Sequence, residues 1–432
     1  KALQECASIP VPDPCFALVD DYWMSYVLNH KFNRKLRKLS TNASELRDAI
    51  VSRTQDSDEI GLALYTRPEV KQNKIKLYIH HMLQGWPVWD SDQENDIKLD
   101  EKREQLLAKS KREFWDKLFV GFNISSEISE ESVRDLVEMG VKCVRIGAVG
   151  LGDKVDYELK GFVANRDLQM RQLKTTISLL KSNGIRVVLT LYRQLSSPEI
   201  WEFIAKNLYS EENVVGYDLI NEPFTPLEEQ YEFVDNDPGL TELMSRYIEM
   251  IESIRLVDKI TPIIIESSYW ATVDAIPKLS IENLLTIDTN LLVSFHFYEP
   301  MLLTQRQRNK NRFAYPSQVP DYENSKYPQM IEINDNYIAN KFLTAIQWSQ
   351  KFKIKLLLGE FGISRDVLGA DLYLHCIMNL CKTHAISAFI YSFRDEDWDS
   401  MDYELGDNIL SGRVKQNLNE NILMQTILKG IS

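Results

Sequence analysis

From Phe114 to the C-terminus, short apolar segments rich in β-branched residues alternate with segments of helical periodicity. Such alternation predicts a parallel sheet built from β–α units. Eight strand segments fit in this region, which is the number and the length expected of a (β/α)8 barrel with moderate loop insertions. The predicted strands are Leu118–Ile124, Lys142–Gly147, Ile185–Tyr192, Val214–Asn221, Pro262–Glu266, Leu291–Tyr298, Ile354–Glu360 and Ile386–Phe393. The predicted fold class is therefore α/β, a TIM barrel over residues 113–432.

Residues 1–112 follow a different pattern and form the other predicted domain. They hold a Pro-rich opening, several helical segments and a charged stretch from Asp90 to Arg112. The short, evenly spaced strands of a β-sandwich are not evident in this sequence. We therefore expect a mostly helical extension that packs on the barrel. Trp86 and Trp89 could stack on a sugar, although packing against the barrel is the favoured alternative.

The net charge of −13 argues against nucleic acid as the main partner, because a nucleic-acid-binding face is basic. A neutral carbohydrate meets no such repulsion. No apolar run in the sequence approaches the ~20 residues that a membrane helix needs. We expect a carbohydrate substrate, no nucleic acid and no membrane span; the sequence does not indicate an oligomeric state.

Five cysteines allow one disulfide hypothesis. Cys6 and Cys15 lie close together and could pair if the protein is exported. The other three lie in apolar patterns and are expected to be small core residues, namely Cys143, Cys376 and Cys381. Because the chain starts at Lys1 rather than Met, we expect a processed or trimmed N-terminus and an exported protein.

Two of the predicted strands carry a glutamate to their carboxyl ends. The fourth strand ends in Asn221-Glu222-Pro223, and the seventh ends in Gly359-Glu360. Chemistry in a barrel lies at the carboxyl ends of the strands, so Glu222 and Glu360 are expected to meet there. A pair of carboxylates is the minimum equipment for cleaving a glycosidic bond. This chemistry calls for no metal and no organic cofactor.

The remaining strand ends carry further polar and aromatic side chains. They are Asn123, Arg145, Tyr192, Arg193, Glu266, His296, Tyr298, Arg394 and Trp398. Arg145 could pair with a carboxylate and hold it ionised. His296 and Tyr298 lie two residues apart on a strand and face the same way, although core packing is an equal alternative. Trp398 lies in an acidic stretch, which favours a sugar-binding platform. For Glu266, a structural or binding role is favoured over a catalytic one.

Five of these segments, in this order, resemble glycoside hydrolase family 5, the cellulase-like family of retaining (β/α)8 glycosidases. The matching motifs are the arginine of strand two (Arg145), Asn221-Glu222-Pro223, His296-Phe297-Tyr298, Gly359-Glu360-Phe361-Gly362, and Tyr391-Ser392-Phe393-Arg394 running on to Trp398. The resemblance covers residues 114 to about 430 and leaves the first hundred or so unexplained. Many members place a histidine at the end of strand three, where this chain has Tyr192-Arg193. That departure affects the sugar contacts near the site and not the two glutamates.

The resemblance implies a role for each residue. Glu222 is expected to be the general acid/base and Glu360 the nucleophile of a double displacement, with carboxyl groups roughly 5–5.5 Å apart. Arg145 and Tyr298 would hold Glu360 ionised, and Asn221 would bind the sugar 2-hydroxyl. The expected substrate is a β-linked glucan or a related saccharide. A transglycosylase, a glycosidase that acts on glycolipids or glycans, and a non-catalytic carbohydrate-binding protein remain alternatives.

Overall fold

The computed structural model of the chain describes residues 104–147, 159–192, 196–230, 237–321, 329–395, 398–408 and 412–431. The chain divides into two compact units, residues 1–102 and 103–432, and only the second is described below. The predicted helical extension therefore lies almost entirely outside the described residues, as do Cys6, Cys15 and Arg193. Its last residues belong to a helix over 104–114.

Eight parallel strands close into a barrel, which confirms the predicted fold class. The strands are β1 (Val120–Ile124), β2 (Cys143–Gly147), β3 (Arg186–Tyr192), β4 (Val214–Asn221), β5 (Ile263–Glu266), β6 (Leu291–Phe297), β7 (Ser317–Pro320), β8 (Met330–Ile333), β9 (Lys355–Phe361) and β10 (Ser387–Ile390). The order around the barrel is β1-β10-β9-β6-β5-β4-β3-β2. The two other strands, β7 and β8, pair antiparallel in a separate sheet within the insertion that follows β6.

Helices of ordinary length connect most of the barrel strands and begin where the sequence supplies caps. Ser129 and Ser197, for example, each accept a backbone N–H at the start of a helix. The longer helices are α1 (Glu130–Glu138), α2 (Leu159–Ser182), α3 (Pro198–Leu208), α4 (Pro238–Arg255), α5 (Ile281–Ile287), α6 (Asp335–Phe352), α7 (Ala370–Thr383) and α8 (Ile422–Ile431). Short turns of helix lie at Pro226–Glu229, Ser268–Ala271, Val273–Lys278, Met301–Thr304, Arg306–Asn309, Asp399–Met401 and Tyr403–Leu405.

Strand alternation divides the core into two clusters. One set of strand residues packs outward against the helices, and the alternate set fills the lower barrel interior. The inner cluster comprises Trp115, Phe119, Cys143, Val188, Val215, Ile264, Leu292, Leu357 and Phe389. Trp115 donates its indole N–H to the carbonyl oxygen of Val215 at 2.7 Å. Because this apolar cluster fills the lower interior, the polar side chains of the interior lie at the carboxyl ends of the strands.

Cys143, Cys376 and Cys381 are buried free thiols, as predicted. Among the residues that the structure describes, no helix has both the length and the apolar character needed to span a bilayer.

Candidate active site

The centre of the site is the guanidinium of Arg145 on β2. Arg145 lies two residues beyond Cys143 and therefore shares its inward-facing side of the strand. The guanidinium is 1% exposed and donates hydrogen bonds of 2.7–3.0 Å to five side chains. They are Asn123 on β1, Asp218 and Asn221 on β4, Glu266 on β5 and Glu360 on β9.

Three of these partners are carboxylates, and their charge determines the protonation state of Arg145. Burial by itself lowers the pKa of Arg145, but the charges of Asp218, Glu266 and Glu360 overcome burial and raise that pKa. Arg145 is thus a fixed cation whose hydrogen bonds reach four other strands of the barrel.

Glu360 on β9 has a hydrogen bond to each carboxylate oxygen. Arg145 Nη1 donates to Oε1 at 2.8 Å, and the hydroxyl of Tyr298 donates to Oε2 at 2.8 Å. Gly359, the residue before Glu360, allows β6 and β9 to lie close together. A Cβ on Gly359 would lie 2.4 Å from Ser294 Oγ and 3.0 Å from His296 Nε2. The glycine before the glutamate is therefore required by packing.

Glu222 directly follows β4 and has left-handed backbone geometry, with φ of 49°. Its backbone N–H donates to Glu266 Oε2 at 2.7 Å, and its Oε1 lies 3.0 Å from His296 Nδ1. The side chain is 33% exposed, so it faces the open end of the barrel. Burial and the charge of Glu360 raise the pKa of Glu222, although the hydrogen bond from His296 opposes them. This carboxyl is suited to hold a proton.

The two predicted catalytic glutamates do meet. One side-chain oxygen of Glu222, one of Glu360 and one ring nitrogen of His296 all lie within 4.8 Å of one another. Two carboxylates and an imidazole at this spacing could hold a cation. However, both ring nitrogens of His296 already face carboxylates, Nδ1 that of Glu222 and Nε2 that of Glu266 at 2.9 Å. The arrangement therefore favours hydrogen bonding over metal ligation.

His296 is the link between the two glutamates of β4 and β5. Burial lowers the pKa of His296, but the charges of Glu266 and Glu360 and the hydrogen bonds to Glu222 and Glu266 raise it well above its ordinary value. The structure thus brings Arg145, Asn221, Glu222, His296, Tyr298 and Glu360 together, as the sequence predicts.

Aromatic side chains lie around the open end of the barrel. Trp398 is 40% exposed and contacts Tyr391 edge-to-face, with ring centroids 6.2 Å apart. Tyr391 directly follows β10, and burial and the charges of Glu360 and Asp395 raise its pKa. Trp398 therefore lies beside a ring at the end of β10. Tyr192 is 42% exposed at the end of β3.

Arg394 is the one described strand-end residue that the structure directs elsewhere. Its guanidinium donates to Ser132 Oγ at 2.6 Å and to Glu404 Oε2 at 2.5 Å, and it also binds Asp135. It therefore joins the β10 loop to α1. These hydrogen bonds hold the guanidinium of Arg394 outside the cluster around Arg145.

Sequence reasoning missed one contributor. Asp218 is a fully buried carboxyl within the apolar run of β4, and its signal is a charged residue at an inward-facing position of a predicted strand. Glu266, for which a structural or binding role is expected, contacts Arg145, His296 and the backbone of Glu222.

A closed parallel barrel with a pair of carboxylates at the carboxyl ends of its strands is the equipment of a glycosidase. The family model described as cellulase (glycosyl hydrolase family 5) matches residues 108–397. The chain therefore belongs to glycosyl hydrolase family 5, a family of glycoside hydrolases.

Individual relatives are more distant. Endoglucanase C of Acetivibrio thermocellus is 25% identical over 222 residues, which are 46% of this chain and 60% of that protein. The chain thus spans about three fifths of the length of this curated relative. Among solved structures, an endoglucanase aligns with a TM-score of 0.52 at 19% identity, covering 74% of this chain and 99% of that one. Cel5A of Thermotoga maritima, determined in complex with mannotriose substrate, aligns with a TM-score of 0.53 at 18% identity, covering 73% and 97%. These structures share the fold.

Proposed function

We propose that this chain is a retaining glycoside hydrolase that cleaves β-glycosidic bonds of a glucan-like polysaccharide or oligosaccharide by double displacement. The observation that carries the proposal is the pair of carboxylates at the ends of β4 and β9, with oxygens within 4.8 Å of each other. A retaining pair is about 5–5.5 Å apart, whereas an inverting pair is about 6.5–9.5 Å apart to admit a water molecule. The approach of one oxygen from each carboxylate is compatible with the retaining spacing.

In the first step, Glu360 attacks the anomeric carbon and Glu222 protonates the departing oxygen. The C–O bond to the leaving group breaks as the bond to the Glu360 oxygen forms, so the sugar becomes an ester of the enzyme. The two hydrogen bonds to Glu360 from Arg145 and Tyr298 orient its carboxylate for attack. The raised pKa of Glu222 suits the proton donor.

In the second step, Glu222 acts as the base. It takes a proton from water, whose oxygen attacks the anomeric carbon and releases Glu360. Because Glu360 is an uncharged ester at this stage, its repulsion of a Glu222 carboxylate is absent. The loss of that charge helps Glu222 to change from acid to base.

Asn221 supplies a further contact in this scheme. Its Oδ1 accepts from Arg145 Nη2 at 2.7 Å, which orients the amide so that its NH2 group is available for a substrate hydroxyl. The neighbouring Glu222 places that amide beside the reacting carbon. A hydrogen bond to the sugar 2-hydroxyl there would strengthen in the transition state.

The substrate class rests on the family and on the printed identities of relatives. Endoglucanase C is named for glucan cleavage, and Thermotoga maritima Cel5A has been determined with mannotriose and with cellobiose. We therefore place β-linked glucans first and β-mannans second. The exposed rings of Tyr192 and Trp398 offer stacking surfaces for either sugar.

The test is the purified chain on a panel of β-glucans, β-mannans and aryl β-glycosides, with the anomer of the first product followed by proton NMR. A β anomer formed first supports retention, whereas an α anomer would exclude it. Glu222→Gln and Glu360→Gln should each lose orders of magnitude in turnover. The exposed Glu130→Gln is the matched control and should leave turnover unchanged. Products longer than the substrate would indicate the alternative, a transglycosylase.

A further inference from the structure

Glu266 makes more contacts within the charged cluster than the two-glutamate mechanism requires. It ends β5 and is fully buried. Its Oε1 accepts from Arg145 Nη2 and lies 2.9 Å from His296 Nε2, while its Oε2 accepts the backbone N–H of Glu222 at 2.7 Å. Because the carboxyl is buried beneath these groups, any effect it has on catalysis must pass through them.

Two of the three contacts converge on the acid/base residue. The N–H bond holds the backbone of Glu222 in its left-handed conformation, which is uncommon for a residue with a side chain. His296 provides the second path, because its Nε2 faces Glu266 and its Nδ1 faces Glu222 Oε1 at 3.0 Å. Glu266 thus controls both the backbone and one side-chain oxygen of Glu222.

Two proton arrangements fit these distances. In one, His296 carries hydrogens on both nitrogens and donates to both carboxylates. In the other, His296 is neutral, donates through Nε2 to Glu266 and accepts at Nδ1 the proton of Glu222. In the second arrangement, the proton of Glu222 points at His296 Nδ1 and not at the substrate. An ionised Glu266 favours the first arrangement, because a negative charge 2.9 Å away stabilises the imidazolium.

We propose that Glu266 is a positioning residue that keeps His296 protonated on both nitrogens, so that Nδ1–H occupies Oε1 of Glu222 and the catalytic proton rests on Oε2. The proposal rests on the assignment of Glu222 as the acid/base. It adds a third carboxylate to the reaction, one that never touches the sugar.

The charges around Glu266 support this assignment. The charged or titratable groups that face it are Arg145 on β2, Asp218 on β4, Glu222 directly after β4, His296 on β6, Glu360 on β9 and the Tyr247 hydroxyl on α4. Burial raises the pKa of Glu266, but the charges of His296 and Arg145 and the hydrogen bonds from His296 and Glu222 lower it to about 2. The hydrogen bonds from Arg145, His296 and the Glu222 backbone thus favour the ionised form of Glu266.

Asp218 provides a matched comparison on the neighbouring strand. It is also fully buried and accepts from Arg145, at 2.9 Å through Nε. Within the described part of the chain, its hydrogen bonds do not reach His296 or the backbone of Glu222. If Glu266 served only as a buried acceptor for Arg145, then Asp218→Asn and Glu266→Gln should have similar consequences.

The first measurement uses the unmodified protein without substrate. The chain has six histidines, so ¹⁵N-histidine labelling gives few ring signals, and His296→Gln assigns the one that disappears. We expect the His296 ring to show two N–H groups at pH 7. A neutral ring with one N–H at that pH would overturn the proposal, and this result is read on the unmodified protein, with only His296→Gln needed for the assignment.

The second measurement compares the variants. In Glu266→Gln, the His296 ring should titrate at lower pH than in the wild type, whereas in Asp218→Asn it should keep both N–H groups at pH 7. Turnover of Glu266→Gln should fall about 10- to 100-fold, the effect of one charge-assisted hydrogen bond, with KM near the wild-type value. Adding His296→Gln to Glu266→Gln should then cost less than the product of the two single effects.

Equal losses of turnover in Glu266→Gln and Asp218→Asn, with an unchanged His296 titration, would reduce Glu266 to a structural counterion. A loss of turnover in the double variant equal to the product of the two single losses would lead to the same conclusion, that Glu266 does not act through His296. Failure of the proposed function is a separate result, because it would appear as absent glycosidase activity in the wild type while the ring protonation remained measurable.

Discussion

Arg145 and Glu360 form a 2.8 Å ion pair between Nη1 and Oε1, across the interior of the barrel from β2 to β9. The same guanidinium binds Asp218 and Glu266 at 2.9 Å. The pair therefore belongs to a buried network in which one cation serves three carboxylates. Such a network positions the site, but it also makes stability depend on a single side chain.

Replacing Arg145 with Met should destabilise the chain by about 3–5 kcal/mol, because the change leaves buried carboxylates without their cation. The measurement is the free energy of unfolding in urea. Arg134→Met is the control, since Arg134 pairs with Glu130 at the surface, where the two side chains are 64% and 79% exposed. That variant should change stability by less than about 1 kcal/mol. Equal effects of the two changes would show that the buried network is not a source of stability.

The hydroxyl of Tyr298 is expected to matter to turnover more than to stability. Tyr298→Phe keeps the ring but removes the 2.8 Å hydrogen bond to Glu360 Oε2. We expect kcat to fall about 10- to 100-fold, which corresponds to one hydrogen bond to a charged group. Steady-state kinetics on an aryl glycoside would measure the change.

Tyr391→Phe is the matched control for this prediction. Its hydroxyl donates to Asp395 Oδ2 at 2.9 Å, so the change spares Glu360 while removing a hydroxyl from a nearby ring. We expect a kcat within about threefold of the wild type, because the lost bond lies outside the reacting groups. A larger loss from Tyr391→Phe than from Tyr298→Phe would contradict the assigned role of Tyr298.

The sequence was sufficient to predict the barrel because its cause is local. The predicted strands are short apolar runs, and the alternation of side chains between the two faces of a strand indicates which of them share the interior. Glu222 and Glu360 could be paired for that reason, since the carboxyl ends of parallel strands share one rim.

The hydrogen-bond partners could not be predicted in the same way. Whether Arg145 binds one carboxylate or three depends on strand stagger, which brings β2, β4, β5 and β9 together and has no sequence signal. Arg394 shows the same limit, because two of its partners, Ser132 and Asp135 of α1, lie more than 250 residues away in the chain. The hairpin of β7 and β8 was missed because a long polar insertion has weak strand periodicity.

The raised pKa of Glu222 predicts a shifted alkaline limb in the pH profile of kcat/KM. A protonated Glu222 is required as the acid, and activity is lost as pH rises through its pKa. We expect that limb above the range of an ordinary glutamate. A substrate whose leaving group departs without protonation should lack the limb in the first step, and its persistence there would exclude Glu222 as the acid.

The free energy of unfolding should also depend on pH, because folding raises the pKa of Glu222. A carboxyl whose pKa is raised by folding contributes stability below its unfolded pKa, and that stability is lost as pH rises through the folded pKa. Ionisation of Glu222 at higher pH therefore destabilises the folded state, and Glu222→Gln removes the ionisable group. The variant should be at least as stable as the wild type at neutral pH. Thermal unfolding at pH 4 and at pH 7 would measure the effect, and a variant that loses stability only at pH 7 would contradict it.

Azide should distinguish the roles of the two glutamates. Glu222→Gln can still form the covalent intermediate from an aryl glycoside with a good leaving group, because that phenol departs without an acid. The intermediate then waits for a nucleophile that needs no base, so azide should accelerate turnover and yield the β-glycosyl azide. Product analysis by NMR and the rate as a function of azide concentration would measure this rescue.

Glu360→Gln provides the complementary result. It lacks the attacking carboxylate, so a better leaving group should help it little, and azide that attacks the anomeric carbon directly should give the α product. The opposite roles would produce the opposite pattern, with β product from the Glu360 variant and no rescue of the Glu222 variant. That pattern would reverse the assignment, and Glu266 would then position the nucleophile, because its bonds to the Glu222 backbone and to His296 are fixed by the fold.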